Sequence, residues 1–563
     1  MVERIWLEHY EAGVPHDLKI PEKTIVHYLE ETAQRFPHVT AAKFMGGTLS
    51  YQELNNLAGS FAAVLAGLGA GPGSRIALNL PNCPQFMIAY SGILKAGSVV
   101  VPCNPLYVER ELIHQLNDSG AEIIVTLSRF YPLVRRIKEK TAIKTIIATN
   151  IKEYLPFHLR ILYTFFQERG EGDRVKLQQG DCWLQDLMKE YSSAPLSPGV
   201  ERKPDDAACF LYTGGTTGLA KGAHLTHRNL LANALQIKSW LTDFQEGEEI
   251  GLAVLPFFHS YGMSTCLNFS LVTAGTLILV PRFSREEILK LIEREKPTLM
   301  PGVPTLYIAL ISAPDLAKYD LSSIRICISG AAPLPLEVQN RFEKLTGGRL
   351  REGYGLTETS PVTHCNPIYG RSKPGSIGIP FPGTEAKIVD LADPTVEMAP
   401  GEIGQLAVRG PQVMKEYINQ PEETTEVFNE DWFLTGDIGK MDEEGYFYIV
   451  DRKKDMIIAG GFNIFPREIE EVLFSHPKIK EVCAVGIPHD YRGETVKAFI
   501  VLREGEKVSA DEIIRFCRKN LAGYKVPKMI EFRDELPKTM VGKILRRILV
   551  EEEQAKLDQK AGS

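Results

Sequence analysis

Short apolar runs alternate with capped, amphipathic ones from Ser50 to Ser329. That alternation restricts the chain to mainly parallel sheets covered by helices, because parallel strands need a crossover helix and bury both faces. Ser50-x-x-Glu53 is a capping box opening an amphipathic run to about Gly67. Arg75–Leu80 then reads as a strand, Gln85–Lys95 as a helix and Ser98–Pro102 as a strand. Val108–Leu116 (helix), Glu122–Leu127 and Ile143–Ala148 (strands) continue the pattern. Ile278–Val280 precedes a second capping box, Ser284-x-x-Glu287, whose helix must end before Pro297. Ile324–Ser329 is a further strand, followed by Gly330-Ala331-Ala332-Pro333.

A chain of 563 residues exceeds what one core supports, so two or more domains are expected. After about residue 370 the character changes. Lys373–Tyr417 has more Gly and Pro and short alternating runs, the mark of a β-rich subdomain. From Asp451 a compact α+β unit begins, with a helix at Pro466–Phe474, a strand at Glu481–Val485 and a basic tail. Five consecutive charges, Asp451-Arg452-Lys453-Lys454-Asp455, lie between two apolar segments and make a solvated joint. The expected fold is α/β, with a large N-terminal domain over 1–452 and a small, mobile α+β domain over 453–563, hinged near 451–455.

The 64 basic and 71 acidic residues leave a net charge of −7, which disfavours a nucleic-acid partner or a broad anionic-membrane surface. Nine cysteines form no C-x-x-C pair, which argues against structural zinc and a disulfide framework and fits a reducing cytoplasm. Met1-Val2-Glu3-Arg4-Ile5 lacks the basic-then-apolar order of a leader, and no apolar stretch reaches bilayer length. The expected location is therefore cytoplasmic. Tyr154–Phe166 is apolar and aromatic with a few basic residues. It suits either a membrane interface or a buried or lid-like loop, and the second reading is preferred.

Four clusters carry chemistry. Tyr212 to Gly222 holds four glycines and three threonines directly after the apolar run Ala207–Leu211. Glycines let backbone N–H groups approach an anion, the hydroxyls of Thr213, Thr216 and Thr217 add donors, and Lys221 adds a charge; the sum is a polyphosphate cradle. It is not a Walker A loop, since Ala220 and Gly222 flank the lysine. The cradle leaves a strand and leads to a helix opened by Thr226, the position of ligand sites in α/β sheets. In Gly353-Tyr354-Gly355-Leu356-Thr357-Glu358 a ring face suits a base, and a hydroxyl and carboxylate suit a phosphate and a hard divalent cation. In Trp432–Asp437 a carboxylate on a Gly turn suits ribose hydroxyls, or alternatively an Asx turn. In Lys538–Arg547, Leu545, Ile548 and Leu549 have helical spacing, so a helix starts near Gly542. Lys543, Arg546 and Arg547 then crowd its N-terminal end, against the helix dipole. An anionic ligand explains such an arrangement, a solvated basic face being the alternative.

These clusters, in this order and over nearly the whole chain, resemble the adenylate-forming superfamily, and most closely its bacterial long-chain fatty-acid–CoA ligases. Trp432–Asp455 is similar to that group's fatty-acid signature, although Glu430-Asp431-Trp432 stands where Asp-Gly-Trp is usual. Gly214 and Ala220 stand where the wider superfamily has Ser and Pro, and the fatty-acyl group shares these departures. The resemblance implies that Thr213, Gly214, Gly215, Thr216, Thr217, Gly218 and Lys221 grip the ATP phosphates. Gly330, Ala331 and Ala332 would lie beside adenine, with Tyr354 stacking on the base and Gly353 and Gly355 flanking it in the nucleotide site. Thr357 would touch the α-phosphate, Glu358 would hold Mg²⁺, and Asp437 and Arg452 would bind ribose. Lys543 would serve adenylation, Lys454 the hinge, and Gly460, Gly461, Phe462 and Asn463 the pantetheine tunnel. His259 would gate the acyl carboxylate.

The activity implied is ATP-dependent activation of a fatty acid to acyl-adenylate and then acyl-CoA, with ATP and CoA as cosubstrates and Mg²⁺ as cofactor. An aryl- or shorter-chain acyl-CoA synthetase, a carrier-protein-charging acyl-AMP ligase and a non-enzymatic fatty-acid uptake factor are the alternatives. A peripheral membrane contact and a homodimer are left open. The acyl pocket walls, Gly302, Pro304 and residues near Tyr261 among them, are too dispersed to give a chain length.

Overall fold

A computed structural model describes residues 4–191, 200–213, 220–459, 462–489, 493–538 and 544–561. Its central sheet has eight strands in the spatial order Glu416–Tyr417, Gly222–Thr226, Ala207–Tyr212, Val99–Pro102, Arg75–Asn79, Ile123–Leu127, Thr145–Thr149 and Cys182–Trp183. The six strands from Ala207–Tyr212 onward run parallel, while the first two pair antiparallel. A second sheet joins Gly47–Ser50, Thr40–Phe44, Thr276–Leu279 and Ile250–Ala253 through single bridges at Leu299 to Ile326–Ser329, Arg349–Gly355, Val362–Cys365 and Ile379–Pro380.

Helix Pro84–Lys95 is buried along its whole length, which explains why its sequence is apolar on every face. It crosses helix Tyr51–Gly67 at Gly92, where a Cβ would stand 2.8 Å from the Ala58 carbonyl oxygen. Its one charge at the end, Lys95, is answered by Glu30 at 2.8 Å. The Ser50–Glu53 capping box forms as read, with Glu53 N donating to Ser50 Oγ. Ser284 does precede a helix, Arg285–Glu295, but its side chain makes no capping bond.

The β-rich subdomain is an antiparallel sheet of Glu385–Val389, Gly404–Arg409, Trp432–Met441, Phe428–Asn429 and Phe447–Arg452. Beyond it, Phe462–Ile464, Ile457–Ala459, Gly493–Leu502, Ile479–His489 and Met529–Phe532 form a separate five-stranded sheet. Ile469, Leu473 and Ile513, from helices Pro466–Phe474 and Ala510–Asn520, share one core with this sheet. Leu549 of helix Arg546–Ala561 joins a second core with Phe499 and Val501.

The helix opened by Thr226 forms as read, His227–Trp240, with strand Gly222–Thr226, whose Gly222 pairs with Tyr212, between it and the cradle. Two expectations change. The C-terminal helix begins at Arg546 rather than near Gly542. Tyr154–Phe166 is not a buried lid: Phe157–Leu162 is a helix with outward apolar side chains.

Candidate active site

Tyr417 is the node of the candidate site. Its short strand pairs with the start of Gly222–Thr226, Tyr417 opposite Ala223, so the ring stands beside the end of the cradle. The Tyr417 hydroxyl donates to Glu358 Oε1 at 2.6 Å. Lys221 Nζ lies 5.2 Å from the Tyr417 ring centroid and forms an ion pair with Glu423 of helix Pro421–Val427. The cradle closes behind it through Thr213 N, which donates to Lys221 O at 2.9 Å. Glu358 sits on the tight turn Thr357–Thr359, held by Met414 N donating to its backbone oxygen. Asn229, the partner in the Thr226 cap, donates to the carbonyls of Pro411 and Val413 at 2.8 Å each and so fixes the segment leading to Tyr417. Lys221 and Glu358 were expected from sequence; Tyr417 and Glu423 were not, since nothing local distinguishes them.

A second cluster adjoins Tyr354. Its hydroxyl donates to Asp437, whose other oxygen lies 3.4 Å from Arg452 Nε. Asp437 and Arg452 are opposite one another in antiparallel register, so the strand pairing itself sets this pair. Gly436 precedes Asp437 at φ +73, a conformation open to glycine at little cost. Asp437 is part of a long strand, Trp432–Met441, and not of an isolated Asx turn. Gly355 is required by packing: a Cβ there would meet the Pro361 carbonyl oxygen at 2.0 Å. Lys454 lies within electrostatic reach of Asp437 and Glu358; partial burial and the Arg452 charge together hold its pKa below the ordinary lysine value.

Gly330, Ala331 and Ala332 follow strand Ile326–Ser329, with Ala331 in the left-handed region at φ +66. The Tyr261 ring backs this turn, 3.1 Å from where a Gly330 Cβ would stand, and Gly330 N donates to Gly302 O. Tyr261, Val303, Leu306 and Tyr307 belong to one apolar cluster, so the dispersed wall residues named from sequence do converge. Pro304 opens the helix carrying Leu306 and Tyr307. His259 caps a short turn, its Nδ1 accepting from Tyr261 N at 3.2 Å.

Glu352, one residue before Gly353, was not singled out from sequence. Its carboxylate accepts from Leu334 N at 3.2 Å, tying the Gly330–Leu334 turn to strand Arg349–Gly355. Burial raises its pKa from 4.5 to about 7, against the opposing effects of the Leu334 N–H and the Arg467 charge. The folded protein thus binds this proton more tightly than the unfolded chain. The associated stability is complete below about pH 4.5 and is lost as pH rises through about 7. Glu352→Gln keeps the acceptor without the charge. It is expected to stabilise the protein by about 3 kcal/mol more at pH 8 than at pH 4, from 1.36 kcal/mol per pKa unit. Denaturant melts at the two pH values check this; an equal effect at both would exclude the linkage.

Gly214, Gly215, Thr216, Thr217, Gly218, Gly460, Gly461 and Lys543 lie outside the described residues. Lys538 and Ile544, which flank the Lys543 segment, form an antiparallel bridge, and Lys538 pairs with Glu481 at 2.6 Å. Arg546, expected to face an external anion, is instead satisfied within the protein. It makes two contacts of 2.6 Å with Glu470, one of 3.2 Å with Asp455 and one of 3.9 Å with Asp451. Arg547 pairs with Glu551 one turn on. Among the described residues, no three His, Cys, Asp or Glu side chains are grouped to hold a metal ion.

A family model described as AMP-binding enzyme matches residues 29–418, and one described as AMP-binding enzyme C-terminal domain matches residues 468–543. A curated long-chain-fatty-acid–CoA ligase of Bacillus subtilis is 48% identical over 98% of both chains. Its namesake in Escherichia coli O157:H7 is 41% identical over the full length of both. Among solved structures, ATP-bound MatB from Rhodopseudomonas palustris matches with a TM-score of 0.83 at 31% identity, covering 94% of this chain and 99% of that one.

Proposed function

The chain belongs to the AMP-binding enzymes, and from that premise we propose that it is a long-chain-fatty-acid–CoA ligase. It activates a fatty acid with ATP to an acyl-adenylate and then transfers the acyl group to CoA. The observation that carries this reading is full-length identity of up to 48% to ligases of that name, in a chain whose Lys221, Glu358, Tyr354 and Asp437 gather around Tyr417 and Arg452.

The acyl carboxylate attacks the α-phosphorus of ATP, and pyrophosphate leaves. The CoA thiol then attacks the acyl carbon, loses its proton and displaces AMP. In this scheme Thr213 to Lys221 bind the phosphates, Thr357 orients the α-phosphate, and the Gly330–Ala332 turn and Tyr354 enclose adenine. Asp437 and Arg452 bind ribose, and His259 stands at the acyl carboxylate. Protein groups chiefly position reactants and answer charge on phosphate oxygens. A lone protein carboxylate, Glu358, fits a Mg²⁺ held mainly by phosphates and water, and the ion would supply charge neutralisation there. Lys543 serves the first step and Gly460–Asn463 the second, so the unit after the 451–455 hinge rotates about Lys454 between them. Rotation would separate Arg467 from the Ile449 carbonyl and from Asp451, its present partners at 2.8 Å. ATP and reduced CoA put this chemistry in the cytoplasm.

The purified protein with Mg·ATP is expected to release pyrophosphate only when a fatty acid is present, and to form acyl-CoA only when CoA is added. Acids of graded length rank the substrates; pyrophosphate from aryl acids alone would replace the fatty-acyl reading. The Lys221–Glu423 ion pair must open for Lys221 to meet phosphate. Glu423→Gln is therefore expected to lower the KM for ATP by up to about fivefold, the range of a half-exposed pair, with kcat little changed. A raised KM would make Glu423 a positioning group instead.

A further inference from the structure

The two oxygens of the Glu358 carboxylate are not equivalent. Oε1 accepts from the Tyr417 hydroxyl at 2.6 Å, while Oε2 has no hydrogen-bond partner among the described residues. The fold keeps that asymmetry in place. Tyr417 is 7% exposed and lies on the short strand Glu416–Tyr417, in register with His224 and Ala223. Its N–H donates to Thr424 Oγ1 at 3.0 Å, and Ile418 N donates to the Gly222 carbonyl at 2.9 Å. A Cβ on Gly222 would stand 2.8 Å from the Ile418 side chain, so the two strands are packed as well as paired. Glu358 is fixed from its own side, where Met414 N donates to its backbone oxygen at 2.7 Å. Both ends of the Tyr417–Glu358 bond are thus held independently of it.

The consequence is one of coordination. A carboxylate with one oxygen engaged as an acceptor offers a cation the other oxygen alone. Mg²⁺ demands a strict octahedron, keeps several waters and is served by single carboxylate oxygens beside phosphate. The larger Ca²⁺ gathers about six to eight oxygens and readily takes both from one carboxylate. An outer partner of this kind orients a metal ligand, and losing it typically weakens metal binding by about 10–100-fold. The Tyr417 ring also lies 5.2 Å from Lys221 Nζ. The hydroxyl and the ring can therefore be separated by substitution.

We propose that Tyr417 is a positioning residue for the cation that accompanies ATP: its hydroxyl occupies Glu358 Oε1, leaves Oε2 as the one oxygen offered, and so favours Mg²⁺ over Ca²⁺. This deepens the ligase reading and rests on it, because Glu358 meets a cation only where the site takes metal·ATP.

The test is titration calorimetry of the full-length protein with Mg·ATP and with Ca·ATP, and with AMP in excess chelator as the metal-free control. Tyr417→Phe keeps the ring beside Lys221 and removes only the hydroxyl. It should weaken Mg·ATP binding by about tenfold, change Ca·ATP binding little and leave AMP binding unchanged, which also reports that the variant folds. In a Glu358→Gln background the same substitution should cost nothing further, since the hydroxyl acts through that carboxylate. Equal weakening of Mg·ATP, Ca·ATP and AMP would make Tyr417 a merely structural residue and overturn the proposal. So would wild-type affinity for Mg·ATP in Tyr417→Phe, or a full additional loss beside Glu358→Gln. Pyrophosphate release with a fatty acid, in a protein whose Tyr417→Phe variant keeps its Mg²⁺ preference, would leave the ligase and remove the role of Tyr417. Hydroxyl-dependent Mg·ATP binding, in a protein that releases no pyrophosphate with any acid, would remove the ligase and leave the cation site.

Discussion

Lys543→Ala is expected to slow acyl-adenylate formation by about 10²–10³-fold, the usual effect of deleting one group that answers transition-state charge. Thiolysis of acyl-adenylate supplied ready-made should be largely retained. The asymmetry follows from the chemistry. In the first step a carboxylate approaches a polyphosphate, so negative charge gathers between them, and a compact ammonium there lowers the barrier. In the second step a thiol displaces AMP at the acyl carbon, and in the proposed cycle the C-terminal unit would by then have turned a different segment toward the site. Pyrophosphate release and thiolysis, measured separately, check the split. Equal loss in both would mean that the substitution damaged the unit, and no loss in the first would remove Lys543 from catalysis. Lys543→Arg should recover little, because a planar guanidinium does not substitute for a point charge on a short reach.

Arg546→Met is expected to destabilise the C-terminal unit by about 3–5 kcal/mol, the cost of leaving a buried carboxylate without its partner. Arg546 holds Glu470 through two contacts and reaches Asp455 and Asp451. It therefore joins helix Pro466–Phe474, the 451–455 segment and the helix Arg546–Ala561. Glu470 in turn accepts from Ala484 N at 2.8 Å, so the strand Ile479–His489 is tied to the same charge. The four tryptophans all lie before residue 433, so intrinsic fluorescence does not report on this unit. Amide exchange does. Peptides spanning 466–489 should exchange at least about a hundredfold faster in the variant, while those of the central sheet are unaffected. Adding Glu470→Gln should restore much of the protection by removing the orphaned charge. Unchanged exchange in the single variant would show that water reaches Glu470 and that the pair contributes little.

The basic cluster at Lys543–Arg547 shows where local reading misleads. Its placement against the helix dipole called for an anion, and the anion exists, but for Arg546 it is supplied by Glu470 and Asp455, 76 and 91 positions away in the chain. Nothing within a few residues of Arg546 could have told an internal carboxylate from a ligand. The Tyr154–Phe166 segment failed for the opposite reason. Its composition is equally consistent with burial and with a membrane interface, and the side that faces out depends on the core that Leu155, Leu159 and Tyr163 reach.

Elements whose stability is local were legible in the residues alone. Ser50 and Glu53 cap the same turn of backbone, and Pro84–Lys95 shows by its apolar circumference that it must be enclosed. The Gly/Thr cradle and the Gly-Tyr-Gly-Leu-Thr-Glu run carry their chemistry within six to eleven residues, so their order along the chain pointed to nucleotide activation. Strand Gly222–Thr226, the Tyr417–Glu358 hydrogen bond, the Lys221–Glu423 pair and the Glu352 brace emerged only with the fold. Each depends on a contact across a sheet or between segments separated along the chain. Periodicity and spacing record what a residue's near neighbours demand, whereas a hydrogen bond across tens or hundreds of residues is set by the three-dimensional packing that brings its two ends together.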